Sequence, residues 1–358
     1  FHEDVPAMSA EEVNTAFLEC YGKLPHQLFL DFDAERPVRS GSIGSVYFAK
    51  KPFLEDGREV LREVVIKIGR HNIDREFAIG KMVLGLAIMS SQYWAPHSKL
   101  TPFLRAMQEQ VDEFVAGFIE ELDFEAEAQN HRFYERSLNS RAWKVPELYG
   151  HSHRILEMEY LSDAASLTRA MKRMNRRNLR RFQAQVSEQL LYAVLQHVFL
   201  YHEIHGDLHP GNVMIDSRGG LHLIDWGNVV QLEGKLGPVW NYLVAAVLAD
   251  TRMIADSLVT MSTQPELNAQ RWDEIKAGLD ETLMKKRVTK LTPRVFINEL
   301  RNGGIESVHR RAQTVLHLMS NTQQFGLVLK RDYLHLSRAL MAGLGSYGSL
   351  YENTSARL

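Results

Sequence analysis

Cysteine is nearly absent: one residue, Cys20, in 358. An internal disulfide is therefore excluded, and nothing in the composition calls for an oxidising compartment. Long apolar runs are missing too, since no stretch reaches the ~18 residues of a membrane span. The best candidate, "WNYLVAAVLADTRMIADSLV", is interrupted by Asp250, Arg252 and Asp256. A pair of buried helices is the expectation there. Excess charge of one sign is also lacking: 42 Lys and Arg face 44 Asp and Glu, a net of −2. A protein that coats nucleic acid through bulk charge is excluded, and no nucleic-acid partner is expected. There is no internal repeat and no low-complexity tract. The chain starts with Phe1 rather than Met, so a preceding segment is expected.

What remains is an ordinary globular composition, 45% apolar and 24% charged. The length fits two structural units or one two-lobed fold. Ser9 and Glu12 have capping-box spacing, Val13 and Phe17 share a helix face, and Gly22 is a stop signal, so a first helix is expected over 9–21. From 38 to 69 the texture becomes that of strands. "SVYFAK" and "EVVIKI" flank "KPFLEDGR", whose Asp56-Gly57 marks a hairpin turn. Residues 71–139 are helical in texture, and 143–161 read as strands. Beyond about 166 the chain is mostly helical, except that "VMID" and "LHLID" near 205–230 read as short strands. "QPE" at 264–266 reads as a loop between helices. The fold class is α+β and two-lobed, with a small mixed lobe over 1–158, a connection at 159–161 and a larger helical lobe over 162–358.

Four stretches carry chemistry. In "RSGSIGSVYFA", Gly41, Ser42 and Gly44 precede Val46, so backbone amides can approach a phosphate. The plainer alternative is a flexible hairpin entry. Lys67 sits in the middle of an apolar strand, where an ammonium needs partners; phosphate oxygens and a carboxylate would serve, unless the strand is an edge and the lysine points to water. "ELDFEAEAQN" supplies Glu121, Asp123, Glu125 and Glu127. On a helix, Asp123 and Glu127 would stack one turn apart, as a solvated acidic face or with one member paired to Lys67.

The fourth stretch is "HGDLHPGN" at 205–212, followed by Asp225-Trp226-Gly227. Asp207 can orient a nucleophile or take its proton. Asn212 and Asp225 offer hard oxygens to Mg²⁺ bound jointly with phosphates. His205 and His209 are four apart, but Gly206 and Pro210 bar the helix that would make them a metal pair. Lysine, glutamate, H-x-D-x-x-x-x-N and D-x-G occur in the order of the phosphoryl-transfer parts of the protein-kinase fold. The expected cofactors are ATP and Mg²⁺, bound between the lobes. The connection then acquires a role: Glu159, Tyr160 and Leu161 would present backbone groups to adenine, with Met158 behind them.

"ELDFEAEAQN", "VPELYGHSHRILEMEYL", "HGDLHPGN", "LIDWG" and the tail "DYLHLSRALMAGLGSY" together resemble the UbiB family of atypical kinase-like proteins. That resemblance spans about 6–350 and implies an ATPase or phosphotransferase of isoprenoid or quinone lipid metabolism. It implies Glu127 as partner of Lys67, and it places Glu121 and Asp123 in a motif of the family's own. Three features depart from the family pattern. A K-x-G-Q segment expected upstream of residue 6 is absent. The nucleotide loop reads Arg39-Ser40-Gly41-Ser42 where alanines are usual. The catalytic loop carries Gly206 and Leu208. This last version, with "IDWG", also resembles aminoglycoside and choline phosphotransferases, so a small hydroxylated acceptor is the alternative. A protein kinase is less expected, because Gly206 replaces an arginine and no A-P-E follows Asp225 at a suitable distance. A nucleotide-gated scaffold is the third reading.

One further feature is a basic stripe, "RAMKRMNRRNLRR" at 169–181, with Arg169, Lys172, Arg173, Arg176, Arg177, Arg180 and Arg181 expected along one helix. It is either a solvated face or a contact for an anionic membrane surface.

Overall fold

The computed structural model describes residues 6–41, 43–70, 73–94, 122–137 and 142–351. The chain divides into two compact units. One comprises Phe1–Asn139, Lys144–Asp163 and Ile224–Asn228; the other comprises Ser140–Trp143, Ala164–Leu223 and Val229–Leu358. Two assignments differ from the sequence expectation. Residues 159–161 belong wholly to the first unit, because the Glu159 and Tyr160 N–H groups donate to Glu147 O (2.8 Å) and Glu63 O (3.2 Å). Asp225, expected in the larger lobe, also belongs to the first unit. Its neighbour Trp226 is fully buried and stacks on Tyr134 with ring centroids 4.1 Å apart.

The first unit begins with α1 (Ala10–Tyr21), and the expected capping box is formed. The Ser9 N–H donates to Glu12 Oε2 (2.7 Å) and the Glu12 N–H to Ser9 Oγ (3.2 Å). Gly22 ends the helix at φ 64°, in the left-handed region that favours glycine. Strand β1 (Arg39–Ser40) pairs with β2 (Gly44–Glu55), which forms a long hairpin with β3 (Arg58–Gly69). Asp56 and Gly57 turn this hairpin with φ of 50° and 77°, the positive values a two-residue turn needs. Helices α2 (Ile73–Trp94) and α3 (Phe124–Ser137) follow, then β4 (Leu148–His151) and β5 (Ile155–Glu159). The sheet order is β1-β2-β3-β5-β4.

Alternation along these strands sorts residues onto two faces. Tyr47, Ala49, Val64, Ile66, Ile68 and Ile155 pack with Val13, Ala16 and Phe17 of α1 and with Phe29. Each large side chain buried there contributes about 1.5–3 kcal/mol. Glu157 is buried as well, and its carboxylate accepts from Tyr21 Oη (2.8 Å) and Lys51 Nζ (2.5 Å). Burial first, then the charge of Glu157 and the bond to it, hold the Tyr21 phenol far above its ordinary pKa. Lys67 lies one residue out of phase with Ile66 and Ile68. It stands in register with Val46 and Leu156, and Leu156 packs with Phe124 and Ala128 of α3. Strand alternation therefore aims Lys67 at the α3 face.

In the second unit the basic stripe is not one helix. It divides between α4 (Leu167–Arg173) and α5 (Arg176–Gln196), because extended Asn175 caps α5 through its bond from the Asn178 N–H (3.1 Å). A π-turn, His197–Tyr201, leads to β6 (Glu203–His205). Strands β7 (Val213–Ile215) and β8 (Leu221–Leu223) are antiparallel, and β9 (Val229–Gln231) pairs with β6. The apolar run at 240–259 splits into α6 (Leu236–Leu248) and α7 (Thr251–Met261) at Ala249 (φ 51°) and Asp250, which caps α7. "QPE" is not a loop: Pro265 opens the short helix α8 (Pro265–Ala269). Helices α9 (Trp272–Lys285), α10 (Pro293–Ser320) and α11 (Arg331–Ser349) complete the unit. Its core is built from Tyr242, Ile254, Leu258, Ile275, Leu279 and Met319 among others. Among the described residues, no helix is long and apolar enough to cross a membrane.

Candidate functional site

Lys67 stands at the centre of the first unit's polar cluster. Its Nζ lies 2.9 and 2.8 Å from the two oxygens of Glu127 and 3.3 Å from Asp225 Oδ1. The Phe124 ring lies 5.2 Å from the same ammonium. Side-chain exposure is 1% for Glu127, 19% for Lys67 and 42% for Asp225. Burial by itself would lower the lysine's pKa. The charges of Asp225 and Glu127, and their hydrogen bonds, outweigh it and hold Lys67 above the ordinary lysine value. Glu127 engages two of the three N–H groups. The third points at Asp225 over a distance at the long end of hydrogen bonding, so a phosphate oxygen can compete for it.

Local structure supports each partner. Asp123 precedes the helix rather than stacking with Glu127 on it: its Oδ1 accepts the Ala126 N–H (2.9 Å) and its carbonyl accepts the Glu127 N–H (3.0 Å). It therefore fixes the turn that carries Glu127. Glu121 lies outside the described residues. Asp225 has φ 66°, a conformation few non-glycine residues adopt. The next residue, Trp226, is buried, and its carbonyl accepts from Asn130 Nδ2 (3.0 Å). The sequence reading missed Phe124, Asn130, Tyr134 and Trp226; the tryptophan between Asp225 and Gly227 was the available signal.

The glycine loop is tight. Register pairs Arg39 with Val46 and Ser40 with Ser45, and the Gly41 N–H donates to Gly44 O (2.8 Å). That amide is thus engaged within the loop. Gly44 is required by packing, since a Cβ there would meet Ile68 O at 2.1 Å. Ser42 lies outside the described residues. Of the connection residues, Glu159 and Tyr160 use their N–H groups internally, whereas the Leu161 N–H has no backbone partner among the described residues. It is the donor available to a ligand there. Tyr160 packs edge-on to Phe48 at 5.0 Å.

The second unit contributes the loop 205–212. Buried His205 accepts the Asp207 N–H at Nδ1 (3.2 Å). Buried Asn212 donates through Nδ2 to Asp207 O (3.0 Å) and Asp207 Oδ2 (3.3 Å), which leaves its Oδ1 as the oxygen it can offer a cation. The Asp207 side chain is half exposed. Among the described residues, no group of three or more His, Cys, Asp or Glu side chains forms a metal cluster.

A strand lysine bound to a helix glutamate, an Asp-x-Gly and an H-x-D-x-x-x-x-N loop define a kinase-like protein. The chain belongs to the ABC1 atypical kinase-like family, whose domain matches residues 1–258. It is 24% identical over 370 residues to AarF domain-containing protein kinase 1 of Mus musculus, covering 99% of this chain and 65% of that protein. It is 28% identical over 221 residues to a probable protein kinase UbiB of Cellvibrio japonicus, covering 60% of this chain and 36% of that one. The solved structure of a Mycobacterium tuberculosis protein, Rv3197, with erythromycin has the same fold at TM-score 0.53 and 17% identity, covering 97% of this chain and 83% of that one. The chain therefore spans at most about two thirds of these curated relatives' lengths. The α+β kinase-like fold and the UbiB resemblance expected from the sequence are borne out.

Removing one member of a buried ion pair typically costs about 3–5 kcal/mol. Glu127→Gln is expected near 3 kcal/mol, the low end of that range, because Lys67 keeps Asp225. Since the folded pKa of Lys67 is raised, the pair's contribution is complete below the unfolded lysine value of ~10.4 and is lost as pH rises through the higher folded value. Urea unfolding of both proteins should show a constant difference from pH 7 to 9. A difference already fading there would contradict the pairing.

Proposed function

We propose that this chain binds Mg-ATP and either hydrolyses it or transfers its terminal phosphoryl group. The observation that carries this reading is the Lys67 ammonium held at 2.8–3.3 Å by Glu127 and Asp225, a cation poised to exchange one contact for a phosphate oxygen. The Leu161 N–H would take an adenine acceptor, with the Glu159 carbonyl and Val46 beside the ring. Asp225 and Asn212 would each give one oxygen to Mg²⁺, which when bound offsets phosphate charge. Asp207 orients the incoming hydroxyl or water. As the new O–P bond forms, the bond to the bridging oxygen breaks, ADP departs, and the nucleophile's proton passes to the Asp207 carboxylate. Family membership supports a phosphotransferase of the atypical kinase type.

Thermal shift should show stabilisation by Mg-ATP that a chelator removes, and Asp225→Asn should abolish most of it. Asp207→Asn should retain nucleotide affinity and lose ~10²-fold in turnover, the scale of a positioned base. Equal binding by Asp225→Asn and the parent would show that the metal role is misassigned.

The acceptor proposed first is an isoprenoid or quinone lipid, on the strength of the UbiB resemblance. Arg169, Lys172, Arg173, Arg180 and Arg181 are exposed, and none forms an ion pair among the described residues. They suit an anionic membrane surface, at about 1 kcal/mol per cation near the headgroups. The alternative, a small-molecule kinase for a soluble hydroxylated acceptor, draws on the Gly206–Leu208 form of the loop. Co-sedimentation with anionic vesicles separates them. The lipid reading expects recruitment that fades with salt and disappears when Lys172, Arg173, Arg180 and Arg181 are changed to Glu. Turnover indifferent to vesicles, with an unchanged charge-reversal protein, favours the soluble acceptor.

A further inference from the structure

Asp207 is half exposed, yet its task demands one fixed orientation. A carboxylate on a solvent-facing loop turns freely unless donors hold one of its oxygens. Two side chains approach the same oxygen, Oδ2: Asn212 Nδ2 at 3.3 Å and His209 Nε2 at 3.6 Å. Oδ1 is left to the nucleophile.

The His209 ring is itself constrained. Its Nδ1 accepts the Gly211 N–H at 2.9 Å. A nitrogen that accepts has its lone pair in that bond, so the ring proton resides on Nε2, the atom turned toward Asp207. The backbone around it is pinned as well. The His209 N–H donates to Asp207 O (2.9 Å), and the Asn212 N–H to His209 O (2.9 Å). Leu208 is buried, and its carbonyl accepts from Ser346 Oγ on α11 at 2.6 Å. Pro210 restricts the backbone of His209 further. Ring, tautomer and backbone are therefore all set before any ligand arrives.

We propose that His209 is a positioning residue for Asp207: its Nε2–H and the Asn212 amide together hold Oδ2, so that Oδ1 alone faces the nucleophile. The 3.6 Å approach closes to a hydrogen bond when the nucleophile engages Oδ1, as such contacts tighten in the working complex. This rests on the phosphoryl-transfer reading for its consequence in turnover, though not for the contact itself.

Two substitutions in the full chain separate the ring's two nitrogens. His209→Asn keeps an acceptor near the Nδ1 position and loses the donor to Asp207. His209→Gln restores an N–H near the Nε2 position and loses the acceptor. His209→Asn is expected to lower kcat about 10-fold or more, the consequence of a misplaced base, with KM for ATP within about twofold. His209→Gln is expected to recover most of that loss. A merely structural histidine predicts the reverse order, which would overturn the proposal. Independently of nucleotide, ¹⁵N spectra of the parent should show His209 with Nε2 protonated and Nδ1 bare, and the Nε2–H signal should shift on Asp207→Asn. An Nδ1–H tautomer, or a signal indifferent to that substitution, overturns the proposal even in a chain without turnover. A parent that binds no Mg-ATP but shows the shift would refute the functional reading and leave the contact standing.

Discussion

An ammonium buried against two carboxylates is the constraint on which the first unit's architecture depends. Lys67 in an apolar strand is untenable alone, since an isolated charge removed from water costs several kcal/mol even after relaxation. Glu127 is more deeply buried and would be worse off without the lysine. Each side chain therefore requires the other, and both require the backbone that delivers them. Strand alternation turns Lys67 away from the α1 face, the Asp123 cap starts α3 where Glu127 can reach it, and Asp225 sits in a left-handed conformation beside buried Trp226. The arrangement is satisfied but not closed, because Asp225 remains partly exposed and its contact with the lysine is long. A core that needed only stability would use apolar side chains here. The three charges of this cluster are what the proposed phosphate site is built on.

The second unit solves a different problem by different means. Its loop places a half-exposed carboxylate where solvent would let it turn, and an amide N–H donates to one of its oxygens. Asn212 supplies that N–H group, while buried His205, Leu208 and Ser346 fix the backbone of the loop. Ser346 lies on α11, beyond residue 258 where the family match ends. The helices after the matched domain thus take part in shaping its loop.

Features encoded within a few residues were legible in the sequence. The Ser9–Glu12 box, the Asp56-Gly57 turn and the division of the 240–259 run at Asp250 each follow from one cap or turn signal. The Lys67–Glu127 contact was legible through the family resemblance, although 60 residues separate the partners. Two errors were also local and avoidable. Asn175 and Asp123 are both preferred helix-capping residues, and reading them as caps would have divided the basic stripe and moved Asp123 off the helix. Other features had no local signature. Glu157 lies inside "ILEME" like any strand residue, and only the fold brings Tyr21 and Lys51 to it. The membership of 159–161 and 224–228 in the first unit depends on strand pairing and on the stacking of Trp226 on Tyr134. The engagement of the Gly41 amide within its own loop is likewise a matter of register, invisible in the spacing of the glycines.

If the Lys67 cluster receives phosphate, its charge contributes to nucleotide affinity. Calorimetric titration of ATP into the protein with Mg²⁺ present tests it most directly when the parent is compared with Lys67→Met, which keeps the length of the side chain and removes its charge. Measurable binding to the parent and a loss of at least about tenfold in the variant, equivalent to ~1.4 kcal/mol, are expected. Equal affinity in a variant whose fold is intact would mean that the buried ammonium serves structure alone.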